Sequence, residues 1–327
     1  MDLEPLYQSV LANLRLGRAD LAREPLARLL REMPDDENLR LVQRQAAVVG
    51  IDYPASRKPI ALARREAPAA RDVDIVAFHV HLAQAPSGMH GDIDYMSVLS
   101  LSFESARIKA PAARRILITD EQTQIPASID VDEIMRFPLD AARPMFERMR
   151  VQASYLEARP PGRVSVLMDS DVVVNADPAA VFAEDFDVGL TWRPEFPDAP
   201  FNGGMIFAGP GHAPARFLQR TLTCYETIAA DATLCALFPR ELKAWWGDQM
   251  ALAALIGHRT FAQRTTEALE VEGSKVRFFP CTEYNCTLSP GRQYSPAELA
   301  QKYFIHFKGN RKAMQARYLE LMRAGHV

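Results

Sequence analysis

The stretch VLMDSDVVVNADP (166–178) decides how this chain is read. An apolar run ends on Asp169 and Asp171, with only Ser170 between them. The run RVSVLMD (163–169) predicts a buried strand. Carboxylates at the C-terminal edge of such a strand converge on the crevice where open α/β sheets bind ligands. Two anions held together need a cation. Carboxylate oxygens suit hard divalent ions, and Mg²⁺ or Mn²⁺ keeps positions for phosphate oxygens and water. The implied species is a metal–diphosphate. The competing reading is a polar turn in which each Asp bonds locally, and a D-x-D alone does not choose between them.

On both sides of this strand, apolar runs alternate with helical patterns. IVAFHV (75–80) and RILITD (115–120) predict strands, and Tyr95–Lys109 and Pro144–Ala158 predict helices. DVGLTW (187–192) and NGGMIFA (202–208) predict strands around a polar loop. Helices follow at 213–230 and 248–256, then strands KVRFF (275–279) and YFIHF (303–307). Strands alternating with helices imply an α/β layer fold with a mixed, mostly parallel sheet flanked by helices.

The N-terminal part has a different rhythm. Leu6, Val10, Leu14 and Leu16 form one apolar stripe, and Leu21, Leu26, Leu29 and Leu30 form another. Met33-Pro34-Asp35-Asp36 ends the second helix, and Leu39 to Val49 gives a third. Leu3–Asp36 resembles one tetratricopeptide repeat with no second copy, so its face should pack on the main domain, another subunit or a protein partner. The simpler alternative is a helical extension without a binding role. The expected organisation is a small all-α extension (1–50), a linker or surface-hugging segment (51–72) and an α/β domain (73–327).

Composition excludes several classes. The 327 residues carry 38 Lys plus Arg against 41 Asp plus Glu, a net charge of −3, with 48 % apolar residues. That balance argues against a nucleic-acid binder, and no apolar run has the length of a membrane span. The acidic, polar start MDLEPLYQ does not fit a secretory signal, and four cysteines in a chain this long do not make a disulfide scaffold. A cytoplasmic enzyme is the expectation.

Three later segments reinforce the metal–diphosphate reading. FNGGMIF (201–207) puts Asn202 at a strand start before Gly203 and Gly204, where glycine permits close approach to a ligand or forms an ordinary bulge. WWGDQMALAAL (245–255) puts Asp248 and Gln249 in the first turn of an apolar helix beside two flat indoles. Asp248 would otherwise be a plain N-cap. FIHFKGNRK (304–312) combines His306, a turn at Gly309 and the cations Lys308, Arg311 and Lys312. An imidazole, a glycine turn and cations suit a metal-bound pyrophosphate; the alternative is a solvated basic turn.

The ordered series Asp169/Asp171, Phe201-Asn202-Gly203-Gly204, Asp248-Gln249 and His306/Gly309/Lys312 resembles the glycogenin-like, family 8 type of retaining glycosyltransferase with a GT-A, Rossmann-like fold. The resemblance covers roughly residues 73–315. It implies that Asp169, Asp171 and His306 bind Mn²⁺ (or Mg²⁺) on a nucleotide-diphosphate sugar, most simply a UDP-sugar. It further implies that Gly309 and Lys312 contact the pyrophosphate, and that Asn202, Gly203, Asp248 and Gln249 line the donor sugar and reaction centre. An Arg on the helix before the D-x-D strand would contact the donor, with Arg150 the first match and Arg148 the second. The segment after Lys312, Ala313-Met314, departs from the family's usual K-P-W.

The implied activity is hexosyl transfer to an acceptor hydroxyl with retention, the acceptor itself being undefined. An inverting GT-A enzyme would use Asp248 as general base, and an inactive nucleotide-sugar-binding scaffold would use its N-terminal helices to hold a partner. Acceptor recognition is expected from loops such as 194–200. His79 and His81 share a strand face, where packing or a nucleotide wall is a simpler role than a second metal site. Cys281 and Cys286 read as buried thiols. Asp120 reads as a ribose or base contact, or as a turn cap.

Overall fold

The computed structural model describes residues 3–80, 93–193, 196, 199–258, 267–289 and 291–327. Its strands are β1 (Arg57–Pro59), β2 (Val73–Phe78), β3 (Arg114–Asp120), β4 (Glu133–Phe137), β5 (Val164–Asp169), β6 (Val172–Val174), β7 (Val188–Trp192), β8 (Phe201–Ala208), β9 (Ala268–Val271), β10 (Ser274–Pro280) and β11 (Phe304–His306). Nine form one sheet in the order β1-β9-β10-β7-β8-β5-β2-β3-β4. Only β8 and β9 run against the others, so the sheet is mixed and mostly parallel. β6 and β11 form a separate antiparallel ribbon.

Every residue of β2 is buried, as expected of a central strand covered on both faces. Alternate β2 side chains enter opposite layers. Ile75 and Ala77 pack with Leu99, Phe103 and Ala106 of α4 (Tyr95–Lys109). Val76 and Phe78 join Met149, Phe217 and Leu252, which come from α5 (Pro144–Ala158), α6 (Ala213–Ala229) and α9 (Gly247–Ile256). The helix bounds of α4 and α5 coincide with the expected ones. Asp94 caps α4 through bonds from the Met96 and Ser97 N–H groups, and Pro144 opens α5 where its missing N–H costs nothing.

The extension folds as α1 (Glu4–Arg15), α2 (Ala19–Glu32) and α3 (Glu37–Val49) around Val10, Leu14, Ala22, Leu26, Leu29, Leu39 and Val42. Two residues assigned to the stripes face outward instead: Leu16, just past the end of α1, and Leu21 are both exposed. Of the expected contacts, the structure contains one with the main domain. Val48 joins the cluster of Phe146, Tyr225, Phe238 and Met250. Arg44 pairs with Glu241 and lies 4.6 Å above the Phe238 ring.

β1 adds an edge to the sheet through β9, and Arg57 bonds the carbonyls of Tyr53, Ala254 and Leu255. Arg-Lys-Pro has no apolar alternation, so its strand is set by the neighbouring edge, where Pro is tolerated. No described helix is long and apolar enough to cross a membrane.

Candidate metal centre and its cavity

The D-x-D pair is built where β5 ends and β6 begins. Asp169 closes β5, and after Ser170 and Asp171 the chain enters β6, which pairs with β11 so that His306 lies opposite Val172. The Phe307 N–H donates to the Asp171 carbonyl at 2.9 Å. This two-stranded ribbon therefore carries the late imidazole to the early carboxylates. His306 Nε2 is 3.0 Å from Asp171 Oδ1 and 3.7 Å from Asp169 Oδ2. One ligand atom from each residue lies within 4.8 Å of the others.

The donor set suits a hard divalent cation: two carboxylate oxygens and one imidazole nitrogen, with room left for phosphate and water. Close packing shapes the cradle. A Cβ on Gly204 would lie 2.5 Å from both Asp169 Oδ2 and His306 Cε1. Gly203 faces the other way, where a Cβ would meet Asp248 and sit 2.8 Å from an Arg148 nitrogen. The glycines thus make space for the site's own side chains. Burial pushes the Asp171 carboxyl up, but His306 and Lys312 outweigh it and hold it well below the usual carboxylate range. Lys312 Nζ reaches Asp171 Oδ2 at 2.5 Å.

A cavity of about 810 Å³ opens beside this cluster, lined in part by His79, Tyr95, Arg148, Asn202, Trp245, Trp246, Asp248, Gln249, Lys308, Gly309 and Lys312. Gly309 adopts φ +58°, the left-handed turn that glycine favours. Asp248 lies in the first turn of α9, whose N-cap is Trp246, so the plain N-cap reading does not apply. Its Oδ2 accepts from Arg148, its Oδ1 is buried with no partner, and burial raises its pKa. Arg193 donates to Gln249 Oε1 at 2.9 Å and lies 4.7 Å above the Phe196 ring. Burial, reinforced by the charge of Arg193, lowers the pKa of Lys308.

Several expected positions fall elsewhere. Arg150 does not line the cavity; it bonds Glu147 and the Pro138 carbonyl. Arg148, two residues earlier on α5, reaches both Asp169 and Asp248. Two helix positions turn the side chain through about 200°, which puts them on opposite faces. Arg311 is spent on the Leu288 carbonyl. Asp120 caps its own turn through the N–H groups of Gln122 and Thr123. Cys286 is buried and Cys281 partly so, both free thiols. His81 and residues 194, 195, 197 and 198 of the expected acceptor loop lie outside the described residues.

Sequence reasoning missed Asn285. This buried amide faces His306 Nδ1 at 2.8 Å and also bonds Thr191 and Asn202. It caps the C-terminus of a single helical turn, Cys281–Tyr284, after β10, a context that gives no local signal.

No family model matches the chain, and no curated protein matches it. Solved structures do. A glycosyltransferase involved in the glycosylation of the major capsid of PBCV-1 matches with a TM-score of 0.43 at 13 % identity, covering 75 % of this chain and 98 % of that one. The galactosyltransferase LgtC in complex with donor and acceptor sugar analogs matches with a TM-score of 0.44 at 10 % identity, covering 78 % and 96 %. An active-site mutant of LgtC matches with a TM-score of 0.44 at 10 % identity, covering 77 % and 95 %.

Proposed function

We propose that the chain is a metal-dependent glycosyltransferase with a GT-A fold, moving a hexose from a UDP-sugar or related nucleotide-diphosphate sugar to an acceptor hydroxyl with retention. The observation that carries this reading is the meeting of Asp169, Asp171 and His306 in the wall of a cavity that also holds Lys312, Gly309 and Asp248. Bound there, Mn²⁺ or Mg²⁺ would supply charge stabilisation for a diphosphate leaving group.

The chain's own residues carry the remaining work. Lys312 and the Gly309 turn face the diphosphate, where fixed positive charge and N–H groups act without reorganising. Asp248, which lines the cavity, positions a sugar hydroxyl. Gln249, its Oε1 held by Arg193, offers its neutral amide to the anomeric side of the sugar. The Asp248 carboxylate, its Oδ2 taken by Arg148, is a poor nucleophile. That favours front-face attack. The acceptor oxygen bonds the anomeric carbon as the bond to phosphate breaks, and the departing phosphate oxygen takes the acceptor proton.

A thermal-shift panel of nucleoside diphosphates with and without Mn²⁺ tests the binding half, since a ligand of the folded state raises apparent stability. A shift that needs Mn²⁺ and disappears in Asp171→Ala supports it; an unchanged shift in that variant favours a scaffold without a working metal site. The anomeric configuration of the product, followed by NMR, tests the chemical half. An inverted product replaces front-face attack with Asp248 as general base.

A further inference from the structure

We infer that Asn285 is a positioning residue that fixes His306 for metal binding and, through the same amide, fixes Asn202 toward the donor sugar. The inference rests on the metal-dependent reading above and adds to it how the imidazole is aimed.

The orientation follows from hydrogen-bond bookkeeping that starts at the backbone. The Thr191 hydroxyl has one proton, and it donates that proton to the Asn202 carbonyl at 3.1 Å. Toward Asn285, at 2.9 Å, the same oxygen can therefore only accept. The Asn285 group facing Thr191 is thus its NH₂. Asn202 Oδ1 confirms this from a second direction, because it takes both the Gly204 N–H and the Asn285 NH₂ at 3.0 Å. With its nitrogen placed, Asn285 turns its Oδ1 to His306 Nδ1 at 2.8 Å. An amide oxygen only accepts, so Nδ1 carries a proton.

Two consequences follow. His306 presents Nε2 to Asp169 and Asp171, the nitrogen that a metal ligand needs free once its other nitrogen donates outward. Asn202 has its oxygen doubly engaged, so its NH₂ is the group left to face the cavity that it lines. One buried amide, about 1 % exposed, thereby sets both groups.

The test compares Mn²⁺ affinity in the presence of saturating UDP, read by electron paramagnetic resonance of free Mn²⁺. Asn285→Leu keeps the branched shape and removes all three bonds, and it should weaken Mn²⁺ about 10- to 100-fold. Asn285→Asp keeps an acceptor for Nδ1 and should recover most of that loss, which a merely structural role would not predict. If Asn285→Leu does not fold, Thr191→Val serves, because it removes the acceptor that holds the amide in place; it should weaken Mn²⁺ severalfold. Wild-type affinity in Asn285→Leu, or in Thr191→Val where that variant stands in for it, overturns the inference.

A second readout needs no metal. Long-range ¹H–¹⁵N correlation spectra of the wild type should show a proton on His306 Nδ1. A bare Nδ1 overturns the inference on its own. Failure of the wild type to bind Mn²⁺ would instead remove the metal-dependent reading and leave the Nδ1 assignment to be decided by these spectra.

Discussion

Arg148 and Asp248 form a charge pair at 2.5 Å whose side chains are only 5 % and 1 % exposed. Burial pulls the guanidinium pKa down, but Asp169 and Asp248 outweigh it and raise the net value. Burial leaves Asp248 raised even with its partner present. Removing the cation would strand that carboxylate in the interior. Arg148→Ala should therefore cost about 3–5 kcal/mol in urea unfolding at pH 7, the usual penalty for breaking a buried pair. Without Arg148 the stranded carboxyl of the variant takes up a proton more readily than the paired one in the wild type, so the cost should shrink as pH falls from 7 to 5. Equal costs at both pH values would mean Asp248 is not the group left unpaired.

Gly203 and Gly204 separate two halves of the site, because successive strand residues face opposite ways. A Cβ at 204 enters the Asp169–His306 cluster, and one at 203 enters the Arg148–Asp248 pair. Gly204→Ala should cost about 1–3 kcal/mol from overpacking and weaken Mn²⁺ binding at least tenfold. Gly203→Ala should carry a similar stability cost while sparing the metal. Calorimetric Mn²⁺ titrations in the presence of UDP separate the two. Wild-type Mn²⁺ affinity in Gly204→Ala would show that the cradle has slack.

The layer order was legible wherever a local signal was strong. Helices α4 and α5 and strands β2, β3, β5, β7, β8 and β10 all carry such a signal in their own sequence. Strand β11 was legible as YFIHF, but β1, β4, β6 and β9 were not. Val172-Val173-Val174 could be any buried trio, and nothing local says that it pairs with Phe304–His306. That pairing is what unites Asp171 with His306, so the candidate site was legible as residue types while its assembly was tertiary. The same limit explains Arg150 against Arg148. On α5 both adjoin Met149, and only the packing of α9 shows which one faces Asp248. Asn285 was invisible because its partners, Thr191, Asn202 and His306, come from three different strands.

Lys312 and Asp171 are joined at 2.5 Å, with side chains 12 % and 8 % exposed. A diphosphate arriving at the cavity offers this ammonium a second anionic partner. Lys312→Met, which keeps the length of the stem, should lower affinity for UDP with Mn²⁺ by about 1.5–3 kcal/mol, the range for a hydrogen bond to a charged group. Titration calorimetry at two salt concentrations checks it, since the variant should also show a shallower salt dependence. Unchanged UDP affinity would confine Lys312 to steadying Asp171.

At the far end of the sheet, Asp74 is fully buried and held by Arg163 at 2.5 Å, Arg114 at 3.0 Å and the Tyr155 hydroxyl at 2.6 Å. Burial pushes its carboxyl up, yet the bonds from Arg163, Arg114 and Tyr155 outweigh it, so the net pKa lies below the ordinary value. A depressed folded pKa contributes stability that is present above the unfolded value, near 3.9, and disappears as pH falls through the folded one. Asp74→Asn leaves two guanidinium groups without their shared anion and should cost about 3–5 kcal/mol at pH 7. Below the unfolded value the unfolded carboxyl takes up a proton that the folded one resists, so the gap between the two proteins should narrow as pH falls. Urea unfolding at pH 7 and at pH 2.5 measures the gap directly. A gap of the same size at both would mean that the carboxylate charge is not what Asp74 contributes.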